Sequence, residues 1–216
     1  MRVEIWSDVV CPWCYVGTRR FSAALERFDR GVDVDVAYRA FELDPTVPVG
    51  GMDLADYLAR KFGSPAALDW IHDRLAQVGA DAGIEFRWEG KRRVNTFDAH
   101  RLAAWAEGVA GDDARAAVEQ RLFRAYFTDN LDVADHRVLA RLAAEVGLDA
   151  ALAAEALAAG AGDDQVRAEE AQATELGISA VPTFVIEGRW AIPGAQDVDT
   201  FVRVLETAAE RLVPKQ

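Results

Sequence analysis

The sequence predicts a mixed α/β fold in which two halves of one domain flank a large helical insertion. Three observations predict it: a strand–helix–strand pattern over residues 1–48, nearly continuous helical patterning over 49–177, and a β-hairpin with a closing helix over 178–216.

Val3-Glu4-Ile5-Trp6 alternates as a short strand does, and helical apolar spacing through Phe21, Ala24, Leu25 and Phe28 follows until Gly31 stops it. Residues 32–38 alternate again, and parallel pairing of strands joined this way requires the helical crossover. Pro45, Pro48, Gly50 and Gly51 mark a loop over 40–51. Ser64-Pro65, a capping serine with proline in the first helical position, opens a helix over 66–79, and 84–88 is a brief extended piece. Asn95 or Thr96 caps a helix through Val109, and Asp112 or Asp113 begins another with Val118, Leu122, Phe123 and Tyr126 on one face. Helices over 135–146 and 149–159 are parted by Gly147, and one over 163–176 is closed by Gly177. Residues 183–186 and 190–192, joined at Glu187-Gly188-Arg189, form a hairpin. A helix over 197–212 ends the chain with Phe201, Val204 and Leu205 inward.

Half of the 216 residues are apolar, enough to bury a core without staples. A net charge of -12 repels a phosphate backbone, so nucleic acid is not expected as a partner. The basic run Lys91-Arg92-Arg93 is expected to be a solvated turn after Gly90. No window nears the roughly 18 apolar residues of a membrane span, and Met1 leads almost directly into the first strand, so the expected location is cytoplasmic.

The two cysteines of the chain stand in Cys11-Pro12-Trp13-Cys14, between the first strand and the first helix, which is the sequence setting of a thiol–disulfide site. That motif, the insertion, and Gly177-Ile178-Ser179-Ala180-Val181-Pro182-Thr183-Phe184 resemble the DsbA-like branch of the thioredoxin superfamily. The likeness is greatest to its FrnE-like group, at Ser7-Asp8-Val9-Val10-Cys11, Phe41-Glu42-Leu43-Asp44-Pro45, Asn95-Thr96-Phe97-Asp98-Ala99-His100-Arg101-Leu102 and Gly194-Ala195-Gln196. The resemblance implies a thioredoxin fold whose βαβ and ββα halves enclose an all-helical insertion. It also implies thiol–disulfide oxidoreductase or isomerase activity, and a cis-proline at Pro182 facing the cysteines, with the backbone of Val181 offered to substrate. Ala180 departs from the glycine often found there, and no second cysteine pair exists to relay electrons within the chain.

Unpaired N–H groups and the dipole at a helix start favour negative charge, so Cys11 is expected to attack and Cys14, one turn on, to resolve the mixed disulfide. Trp13 lacks the cationic donor a histidine would bring, which points to a couple less oxidising than that of strongly oxidising relatives. Trp13 and Pro12 are expected to touch substrate, while Trp6 and Tyr15 pack. Asp8 is either a turn or capping carboxylate or the proton acceptor for Cys14. His100, with Asn95 in the same segment, is either structural or faces the disulfide and helps bind substrate; His72 and His136 are expected to be structural.

No metal is expected, because two cysteines and three histidines without complementary spacing do not make a closed zinc site. The expected cofactor is the redox disulfide alone, with glutathione or another low-molecular-weight thiol as co-substrate. Protein or small-molecule thiols and disulfides are the expected partners, and apolar surface near the site leaves room for a homodimer. A reducing cytoplasm favours reductase or isomerase work over net oxidation. The related kappa-class glutathione transferases and 2-hydroxychromene-2-carboxylate isomerases offer an alternative activity, but they typically carry serine where Cys11 stands. Two inert buried thiols in a binding or structural protein are the non-catalytic alternative.

Overall fold

The alternation at residues 3–6 becomes β1 (Arg2–Ser7), an inner strand of a four-stranded sheet, in a computed structural model that describes residues 1–63 and 65–212. From β1 the chain enters α1 (Pro12–Arg27) and returns as β2 (Asp35–Ala40), parallel to β1 with Val3 opposite Val36 and Ile5 opposite Tyr38. This strand starts later than the alternation at 32–38 suggests. Its partner β1 begins at Arg2, opposite Asp35, so residues 32–34 have no ladder to join.

The insertion runs through β3 (Met52–Asp53), α2 (Leu54–Phe62), α3 (Pro65–Asp81), β4 (Arg92–Arg93) and α4 (Phe97–Ala110). It continues through α5 (Asp112–Phe127), α6 (His136–Glu145), α7 (Ala150–Ala158) and α8 (Asp163–Glu175). The chain then closes with β5 (Thr183–Ile186), β6 (Trp190–Pro193) and α9 (Val198–Leu212). β5 pairs antiparallel with β1, placing Phe184 opposite Ile5, and the sheet order is β2-β1-β5-β6.

Carboxylate caps begin several helices: Asp53, Asp135 and Asp149 each accept a first-turn N–H, and Gly63 ends α2 at φ 79°. α2 was not among the expected elements; it is nine residues long and sits between Gly51 and Gly63. The expected cap Ser64 lies outside the described residues. Residues 84–88 do not form a strand, because they have no ladder partner: their backbone bonds are isolated ones, Ile84 N–H to Gly79 O at 2.7 Å, Arg87 N–H to Phe127 O at 2.9 Å and Lys91 N–H to Trp88 O at 3.2 Å. The extended pair in the insertion is instead the short ribbon in which Met52 faces Arg93.

That ribbon overturns the solvated-turn reading of the basic run. Lys91 and Arg93 are 3% and 4% exposed, while Arg92 between them points outward. Lys91 Nζ donates to Tyr126 O and Asn130 Oδ1 and lies 4.4 Å from the Tyr126 ring centre, and burial pushes its amine down to about 8.

Two cores meet along α1. Phe21 and Ala24 join Ile5, Phe184, Phe201 and Leu205 on the sheet, whereas Cys14, Tyr15 and Val16 belong to the core of the insertion. Tyr15 stacks on Phe123 of α5 at 5.3 Å. The first turn of α1 is thus held by both parts of the fold.

Candidate active site

Cys11 is the residue before α1, with extended backbone (φ -92°, ψ 110°), and Pro12 fills the first helical position, where a missing N–H costs nothing. The Cys11 N–H donates to Asp8 O at 2.9 Å, and the Cys11 carbonyl accepts from Cys14 N–H at 3.0 Å. The three-residue spacing therefore stacks Cys14 one turn along the same side of the helix. Both cysteines are free thiols. Cys11 is 4% exposed and lines a cavity, while Cys14 is fully buried behind it. Burial, then the hydrogen bond and charge of Cys11, push the Cys14 thiol well above its ordinary value.

Opposite the thiols the Val181-Pro182 bond is cis, and Cys11 Sγ lies 3.6 Å from Val181 O. Gly17 lets this loop approach: a Cβ there would sit 3.0 Å from Pro182 Cγ and 3.3 Å from Ala195 Cβ. Arg20 Nη1 donates to Ala195 O at 3.0 Å, so Gly194-Ala195-Gln196 supports the loop. Ala180 is exposed.

Beneath the thiols lies Asp8, fully buried. Its Oδ1 accepts from Val10 N–H at 3.3 Å and its Oδ2 from Leu43 N–H at 2.8 Å. His100 Nε2 stands 3.6 Å from Oδ1, and Arg93 Nη2 stands 3.9 Å from Oδ2. Burial opposes ionisation of Asp8, but His100, Arg93 and the Leu43 amide outweigh it and hold the carboxyl below its usual range. Burial likewise opposes a charged His100, yet Asp8, then Glu119 and Glu42, push its imidazole up. Each group thus favours the charged form of the other. The Asp8 charge in turn helps raise Cys14, placing the carboxylate within electrostatic reach of the resolving thiol.

The structure brings Cys11, Pro12, Trp13 and Val181 together on one cavity wall, with Trp13 37% exposed. Pro182 packs beside them against Gly17. Asn95 and His100 are not among the residues that line that cavity. Asn95 is occupied with Val47 O at 3.1 Å and Phe97 N–H at 3.0 Å, and His100 is fully buried behind Asp8. Arg93, the Leu43 amide and Glu119 escaped the sequence reading. Three consecutive basic residues, Lys91, Arg92 and Arg93, show no apolar–polar alternation, so the sequence carried no sign of their in–out–in order. Glu119 is fully buried, neither oxygen has a hydrogen-bond partner among the described residues, and burial raises its carboxyl.

A parallel–antiparallel sheet interrupted by helices, with two thiols at the head of its first helix, defines a thioredoxin-type protein. The chain belongs to the DsbA-like thioredoxin domain family, whose model matches residues 2–206. The uncharacterized protein YwbO of Bacillus subtilis is 30% identical over 207 residues, covering 95% of this chain and 96% of that one. A probable DsbA oxidoreductase from Streptomyces coelicolor has a TM-score of 0.91 and 36% identity, covering 100% of this chain and 93% of its own. Cytosolic disulfide reductase DsbM from Pseudomonas aeruginosa, which has also been solved with GSH, has a TM-score of 0.66 and 26% identity over 99% of this chain and 100% of its own. The family and these neighbours define a redox enzyme in general terms. Among the described residues no helix is long and apolar enough to cross a membrane.

Proposed function

We propose that the chain is a thiol–disulfide oxidoreductase or isomerase in which Cys11 attacks and Cys14 resolves. The difference in access between the thiols carries this reading: Cys11 lines the cavity and Cys14 is sealed from solvent. The Cys11 thiolate attacks a substrate disulfide, forming a mixed disulfide and expelling one substrate thiolate. Cys14 then attacks Cys11 Sγ, gives its proton to Asp8, and expels the second thiolate. The substrate gains two electrons and the Cys11–Cys14 pair loses them. Asp8 is the acceptor in this reading because it is ionised and within electrostatic reach of Cys14; its lowered carboxyl makes it a weak base, which places its gain at the low end of the roughly 10²–10⁴-fold of a positioned base.

Turnover as a reductase needs a thiol to reopen the Cys11–Cys14 disulfide, and glutathione or another low-molecular-weight thiol would serve. With Trp13 beside the sulfurs the couple is of intermediate potential, suited to a cytoplasmic reductase or isomerase rather than a net oxidant. A homodimer remains part of the proposal.

Redox titration with Cys11→Ser and Cys14→Ser variants tests the reading. The expected result is an accessible two-electron couple, loss of turnover in both variants, and a trapped mixed disulfide on Cys11 in Cys14→Ser. Turnover retained in Cys11→Ser would overturn the mechanism, and a potential like that of the strongest dithiol oxidants would overturn the stated direction. Glutathione-dependent isomerisation without disulfide turnover would favour the transferase-like alternative.

A further inference from the structure

Among the described residues no acidic side chain lines the cavity that opens at Cys11, although the chain carries 36 Asp and Glu against 24 Lys and Arg. The cavity measures about 390 Å³, within the range of small-molecule sites. α2 contributes Leu54, Tyr57 and Leu58, and α3 contributes Ile71 and Leu75. Aromatic packing stiffens one wall: Trp88 stacks on Phe86 at 5.3 Å and meets Phe127 edge-on at 6.1 Å. Such a surface favours an apolar body that fills it over a hydrated peptide backbone.

Three cations interrupt this apolar lining. Arg93 is already engaged by Asp8 and lies 5.0 Å from the Tyr57 ring centre. Lys61 and Arg74 are exposed, and neither makes an ion pair among the described residues. In a chain of net charge -12, two cations without an ion pair, on the rim of a cavity with no acid among its described lining residues, set a local polarity opposite to that of the whole molecule.

We propose that this cavity is the substrate site for low-molecular-weight disulfides, or the corresponding thiols, that carry an apolar, preferably aromatic, body and a carboxylate. The assignment rests on the oxidoreductase reading and names its substrate class. The body fills the space between α2 and α3, the carboxylate is met by Lys61 and Arg74, and the sulfur faces Cys11. Cys11 displaces one half of the disulfide as its thiolate. Cys14 displaces the other, leaving two substrate thiols and an oxidised Cys11–Cys14 pair.

Single-turnover oxidation of the reduced protein, followed by quenching and mass analysis, tests the assignment with three disulfides. These are bis(4-carboxybenzyl) disulfide, its 4-aminomethyl counterpart, and glutathione disulfide. Each rate is divided by that of N-acetylcysteine with the same disulfide, which removes intrinsic reactivity. The expected ratio is about tenfold higher for the carboxybenzyl compound than for the other two, a preference of about 1.4 kcal/mol. A double variant, Lys61→Glu with Arg74→Glu, is expected to reverse the order of the carboxylate and amine probes; both side chains are exposed, so the fold survives the change. Equal ratios for the three disulfides, or an unaltered order in the double variant, would overturn the assignment while leaving the oxidoreductase reading intact. If none of them oxidises the cysteine pair, that reading falls as well.

Discussion

At the scale of single residues the site turns on Asp8, a carboxylate with no solvent and several obligations. It accepts the Val10 and Leu43 N–H groups and faces two buried cations, so its charge does structural and chemical work together. Removing that charge strands His100 and Arg93, and breaking a buried pair in this way costs about 3–5 kcal/mol. Asp8→Asn is therefore expected to lower the urea midpoint markedly and to slow decay of the Cys11 mixed disulfide by about 100-fold. Unchanged decay would leave Asp8 a scaffold residue only. The pH dependence has a defined sign. The folded protein holds Asp8 below its ordinary 3.8, so its stabilisation is present above that pH and lost as pH falls through the folded value. His100 is held above its ordinary 6.5, so its contribution is present below that pH and lost as pH rises through its own folded value. In Asp8→Asn both slopes should flatten.

Among the elements, α1 shows how a local rule yields to packing. Gly17 lies inside a helix, where alanine would ordinarily be better by about 0.5–1 kcal/mol. Here the added methyl would sit 3.0 Å from Pro182 Cγ, and overpacking of this kind costs about 1–3 kcal/mol. The second effect is the larger, so Gly17→Ala is expected to destabilise the fold and slow mixed-disulfide formation at Cys11. Gly108→Ala in α4, where a Cβ meets nothing within 4 Å, supplies the control and should be neutral or stabilising. Equal effects of the two changes in thermal denaturation would remove the packing argument. Elements with explicit punctuation were legible in sequence: α6 and α7 begin directly after Asp135 and Asp149, where the expected helices start, and the β5–β6 hairpin turns where Glu187-Gly188 allows positive φ. The ribbon of β3 and β4 was not legible, because two-residue strands carry no period and their pairing is decided 40 residues apart in sequence.

Across the whole molecule, the chemistry was legible where it is local and hidden where it is assembled. Asp8, Cys11 and Cys14 lie in one short segment, whereas Leu43, Arg93, His100 and the cavity walls reach it from separate parts of the fold. What keeps those parts in register is a buried ionic joint at the base of the insertion. Arg115 of α5 is fully buried; its guanidinium pairs with both oxygens of Glu169 on α8 at 2.6 and 2.7 Å and with Glu107 of α4 at 2.6 Å. Glu169 also accepts the N–H of Ala40, the last residue of β2, at 2.6 Å, so the joint ties three insertion helices to the sheet. Replacing Arg115 leaves Glu169 buried with only the more distant Arg39, 3.7 Å away, as counter-charge. Arg115→Met is accordingly expected to cost about 3–5 kcal/mol, a fall in Tm of roughly 6–20 °C at this chain length. Adding Glu169→Met removes the stranded carboxylate and should restore a large part of that loss, although the Ala40 N–H loses its acceptor. The coupling is read from a double-mutant cycle in urea with tryptophan fluorescence. Losses that simply add would mean that the joint is a set of independent contacts, each tying its own helix to the sheet as Arg39 of β2 does with Glu107 and Glu169.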